Sequence, residues 1–172
     1  MENIDNTKNT ENIENTENRC YDKKFSSAKF LKPGQKLKDV ITNDKNYLDS
    51  VNITQNQFSD KLDYIASEYY KKLYSFDFEE VDEYQNLRLT RNFIKVDNFL
   101  VSSNDTLGAQ ECPFGCKNNY GASDLRIINS LNKSNIFFGT LHIHLIREHC
   151  FFEGPGLKYR LEPIDVIKVL QL

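Results

Sequence analysis

All three histidines of this chain fall inside one ten-residue run, Leu141-His142-Ile143-His144-Leu145-Ile146-Arg147-Glu148-His149-Cys150, which also holds one of its four cysteines. A cysteine pair, Cys112-Pro113-Phe114-Gly115-Cys116, precedes it, with 27 residues between Cys116 and His144. Two thiols set three residues apart around a Pro and a Gly can form a tight knuckle with both sulfurs on one side. Zinc takes four N or S donors in a tetrahedron at about 2.0–2.3 Å, commonly two from a knuckle and two from a distant element. If one ion takes both halves, the chain must bring this turn against that segment, which removes most arrangements of the C-terminal half. The competing explanation is packing, because free cysteine behaves as a small buried hydrophobe.

The ligand set expected here is Cys112, Cys116, His144 and His149, with Cys150 as the alternative fourth ligand. Leu141 and the residues after it suit a helix capped by Thr140. Residues five apart on a straight helix point about 140° away from each other. His144 and His149 are therefore expected to converge through an opened last turn, which Phe151-Phe152 and the nearby glycines favour. His142 and His149 share a face, but their Cα atoms stand about 10.5 Å apart on a straight helix. His142 is accordingly read as a packing or supporting residue.

At these residues the chain resembles a two-Cys two-His zinc-binding module. Cys112 and Cys116 match the knuckle, His144 and His149 the helix pair, and Leu141 the apolar residue three before the first histidine. The gap of 27 residues exceeds the ~12 of such fingers, so a hairpin over Asp124–Phe138 is expected to fill it. The stretch from His144 to Gly154, with Tyr159-Arg160-Leu161-Glu162-Pro163, also resembles the end of a group of uncharacterised bacterial and large-virus proteins. No activity carries over from that group.

The rest of the chain reads as an α+β domain over residues 25–172, with a zinc-binding sub-module at 111–154. Residues 1–24 repeat Glu2-Asn3-Ile4 as Glu11-Asn12-Ile13 and contain almost nothing apolar. Such a stretch buries too little to offset its ordering entropy, which predicts a disordered Asn/Glu/Thr-rich tail. Residues 25–52 hold Pro33-Gly34 and read as loop. Thr54 and Gln57 have capping-box spacing, and Phe58, Leu62, Ile65, Tyr69 and Leu73 then lie on one helical face, predicting a helix over 55–75. Asp77, Glu79, Glu80, Asp82 and Glu83 form an acidic linker. Antiparallel hairpins are expected from Leu87–Lys95 with Phe99–Ser102, and from Asp124–Leu131 with Ile136–Phe138. A short strand over Lys158–Leu161 and a last helix from Pro163 complete an architecture with three helices.

Composition narrows the function. The net charge of −3 and pI of about 5.7 argue against a general nucleic-acid or anionic-membrane binder. From Glu111 to Leu172, seven Lys and Arg face six Asp and Glu, without the basic excess of a DNA-reading finger. No apolar run approaches the ~20 residues of a membrane span, and no secretory signal pattern opens the chain. An intracellular, cytoplasmic location follows as an expectation. The function expected is a non-enzymatic, zinc-stabilised domain that binds a protein partner. A metal-dependent hydrolase, with Glu148 as general base, and a zinc-finger-like nucleic-acid binder are the alternatives.

Overall fold

The computed structural model describes residues 4–75, 80–81 and 93–172. Helix α1 spans Ile4–Tyr21, α2 Leu37–Ser50 and α3 Gln55–Ser75. Strands β1 (Glu80–Val81), β2 (Phe93–Val96), β3 (Phe99–Glu111), β4 (Asn119–Asn129) and β5 (Asn135–Gly139) follow, then α4 (Leu141–His149) and α5 (Pro163–Leu170). The strands pair antiparallel in sequence order, β1-β2-β3-β4-β5. The α+β class expected from the sequence is the class observed. The described residues carry five helices rather than three.

Helix α3 begins as its sequence requires. The Thr54 amide donates to Gln57 Oε1 at 2.8 Å, and the Gln57 amide donates to Thr54 Oγ1 at 3.3 Å, closing the capping box. Phe58, Leu62, Ile65 and Tyr69 are fully buried along one stripe. They meet the sheet face formed by Ile94, Val96, Val101, Leu125, Ile127, Ile136 and Phe138, and α5 adds Val166, Val169 and Leu170. The register makes this one face: Ile94 pairs Val101, Val101 pairs Ile127 and Ile127 pairs Ile136. Burying such a stripe supplies most of a helix's stability.

A second apolar cluster lies beside the first. Cys20, Phe30, Leu31, Leu37, Val40, Cys112, Leu141, Leu145 and Phe151 form it. Helix α4 stands between the two, with Ile143 and Ile146 in the first cluster and Leu141 and Leu145 in the second.

Four of the element assignments differ from the sequence reading. Residues 37–50 form α2 rather than loop. Its buried stripe is Leu37, Val40, Asp44 and Leu48, and the carboxylate at the third position hides the apolar period. Arg160 completes that stripe with a bidentate pair to Asp44, at 2.6 and 2.5 Å. Secondly, α1 covers most of the stretch read as a tail. Residues 12–15 are exposed, but Cys20 is fully buried, and the Phe30 and Leu31 amides both donate to its carbonyl. The packed unit therefore begins before residue 25. Thirdly, Lys158–Leu161 is a turn rather than a strand, with the Leu161 amide donating to Phe152 O at 3.2 Å. Finally, β3 and β4 are longer than expected, and the loop joining them is the cysteine knuckle. Leu87–Asn92 of the first expected hairpin and most of the acidic linker lie outside the described residues.

Candidate metal centre

The knuckle turns because of its residue types. Pro113 sits where a turn wants a fixed φ, and the Gly115 amide donates to Cys112 O at 3.0 Å. Gly115 has φ +83°, a conformation that other residues adopt at a cost, and a Cβ there would lie 2.7 Å from Arg19 Nη1. Cys112 is fully buried in the second apolar cluster, so packing pins one thiol while Cys116 stays half-buried.

The histidines arrive from α4. The helix stays closed through His149: the Cys150 amide donates to Ile146 O at 3.0 Å, and beyond the left-handed Cys150 the Phe151 amide ends the helix on Leu145 O at 3.1 Å. No opened turn joins the two imidazoles. They converge as side chains, with ring centroids 5.1 Å apart and planes nearly perpendicular at 80°. Phe114 of the knuckle stacks on His149 at 3.8 Å, and Tyr120 of β4 stacks on His144 at 4.4 Å.

The structure brings together all four expected residues. One ligand atom from each of Cys112, Cys116, His144 and His149 lies within 4.8 Å of the other three. His149 Nε2 stands 3.5 Å from Cys112 Sγ and 3.3 Å from Cys116 Sγ. The N–S edge of a tetrahedral zinc site is about 3.5 Å, from bond lengths of about 2.0 and 2.3 Å. His144 Nε2 is buried and has no hydrogen-bond partner. A buried nitrogen of that kind carries a desolvation cost that a metal ion would relieve. The donors therefore fit a metal ion in spacing and in chemistry.

Electrostatics sets their protonation. Burial, and then the neighbouring His144, push His149 from its usual 6.5 down to about 4. Burial also lowers His144. Both imidazoles are thus held neutral, the form that offers a lone pair. Burial pushes the Cys112 thiol up to about 11, with the Cys116 charge adding to the rise. A metal must displace such a proton to bind sulfur as thiolate.

Two neighbours stand apart from the group. Cys150 caps α4 in a left-handed conformation, φ 49°, and its side chain packs in the first apolar cluster with Phe58 and Phe152. The group that the structure assembles holds His149 and not Cys150. His142 is buried against Glu153, with Nε2 2.9 Å from Oε1, and its Nδ1 lies 3.0 Å from Gly139 O. It is engaged in packing and in that pair, as the sequence spacing indicated. Sequence reasoning missed Phe114 and Tyr120 as the rings holding the imidazoles. It also missed Cys20, packed in one cluster with Cys112, whose thiol burial pushes up to about 12. Phe114 was readable from its place inside the knuckle, whereas Tyr120 and Cys20 have no local signal.

The hairpin expected to fill the long gap is present, as β4 and β5. It carries the chain from the knuckle back to the start of α4, where Leu141 follows β5 after Thr140. Among the described residues, no helix is long and apolar enough to cross a membrane. No family model, curated protein or solved structure matches the chain.

Proposed function

We propose that this chain is a zinc-stabilised, non-enzymatic domain whose role is to bind a protein partner. The observation that carries the zinc reading is the closed group of two sulfur and two nitrogen donors, with a buried His144 nitrogen left unpaired. Two thiolates and two imidazoles in a tetrahedron favour zinc over the oxygen-seeking magnesium and calcium ions. Four protein donors fill a tetrahedral ion, which leaves no open position to activate water and speaks for a structural role. Arg147, the one lysine or arginine of α4, is engaged by Asp60 and Asp63 at 3.1 Å each. That pairing speaks for protein rather than nucleic acid as the partner.

The test is elemental analysis of protein prepared without chelator. Zinc at about one ion per chain is expected, with loss in Cys116→Ser and His144→Ala. Metal absent from every preparation would return the cluster to ordinary core packing.

A further inference from the structure

We infer that the groove between α3 and α4 receives an arginine- or lysine-bearing segment of the partner protein. This rests on the partner half of the proposed function and names the partner's chemistry. The groove encloses about 650 Å³, within the ~300–1,000 Å³ range of ligand sites. Asp63, Ser67 and Tyr70 line it from α3, and His144 and Glu148 line it from α4, with Tyr120 closing the end next to the metal centre. Ala66 and Ile143 form an apolar floor.

The groove has a sign. Arg147 is its only cation among the lining residues. Its Nη2 already lies 3.1 Å from both Asp60 Oδ1 and Asp63 Oδ2. Two carboxylates engage one guanidinium, and Glu148 is exposed at the rim as a further negative charge. The local surplus is negative. Tyr70 and Tyr120 line it as well; Tyr70 stacks on Tyr74 at 5.9 Å and Tyr120 on His144 at 4.4 Å, which leaves one ring face of each for a planar guanidinium. Apolar floor, aromatic walls and acidic rim together match an arginine side chain, whose stem wants apolar cover and whose head wants carboxylate. The same rim repels phosphate. His144 is at once a wall of the groove and a member of the metal group, so zinc would hold one side of the groove in place.

The test titrates the full chain with fluorescein-labelled tetra-arginine and, separately, tetraglutamate, and follows anisotropy. Tetra-arginine should bind and weaken with added salt, while tetraglutamate should not bind. Ser67 and Glu148 are exposed, so Ser67→Arg and Glu148→Lys should fold normally. Each should weaken tetra-arginine binding roughly tenfold or more, the size of one charged contact. Asp165→Lys, an exposed change on the remote α5, should leave binding unaltered. No binding of tetra-arginine, unchanged affinity in Ser67→Arg, or equal weakening by Asp165→Lys would overturn the inference. So would free argininamide binding as tightly as the peptide, which would point to a small amine instead. Zinc content is read on the same samples. Tight groove binding by a zinc-free chain would remove the metal reading alone, and a zinc-loaded chain that ignores the peptide would remove the groove alone.

Discussion

Gly115 and Asp44 show how single positions hold the C-terminal half together. Gly115 combines a left-handed φ of +83° with the close approach of Arg19. The arginine end can swing aside, so the backbone decides the cost. Gly115→Ala should destabilise the chain by about 1–3 kcal/mol in urea unfolding and weaken metal retention in a chelator competition. An unchanged midpoint would mean that the knuckle tolerates another turn. Asp44 is buried against Arg160, whose side chain is equally buried. Breaking such a pair strands a charge, and Arg160→Ala should cost about 3–5 kcal/mol. A loss below about 0.5 kcal/mol, typical of surface changes, would show that the pair is dispensable.

Among the elements, α3 was readable and α2 was not, and the difference is physical. The α3 stripe is wholly apolar, so its period stands out in the sequence. Leu62→Ala and Ile65→Ala should each cost about 2–5 kcal/mol through the cavities they leave, measured by denaturant midpoint. In α2 a carboxylate occupies a core position, satisfied by an arginine 116 residues away, and no local pattern announces such a partner. The knuckle and the histidine run were legible because metal-binding residue types are rare and clustered. Of the rings stacked on the imidazoles, Phe114 was within reach from its place in the knuckle, whereas Tyr120 was not, since it meets His144 only through the β3–β4 pairing. Helix α4 also carries a pH prediction for the chain held in chelator. His149 titrates near 4 when folded, against an ordinary value of 6.5. The unfolded chain therefore takes up the proton first as pH falls. Stability present above about 6.5 should decline toward 4 and then level off from this source. Urea midpoints measured across that range test it, and a rise in stability on acidification would contradict the burial of His149.

For the whole molecule, the ion would join the β3–β4 loop to a helix that lies beyond a further hairpin. Metal binding is then folding free energy for the C-terminal half. The same half leans on the N-terminal segment, because Cys20 and Cys112 share one buried cluster. Composition alone makes residues 1–24 removable. The buried Cys20, with its carbonyl accepting from two amides of the next segment, makes removal of 1–24 costly, and several degrees of Tm loss are expected. An unchanged Tm would show that α1 does not dock.

The most direct measurement is zinc content by elemental analysis in the wild-type chain, Cys112→Ser and Cys150→Ser, each purified without chelator. About one zinc per chain is expected in the wild type and in Cys150→Ser, and none in Cys112→Ser. Full zinc in Cys112→Ser, or loss in Cys150→Ser, would contradict a centre built from Cys112, Cys116, His144 and His149.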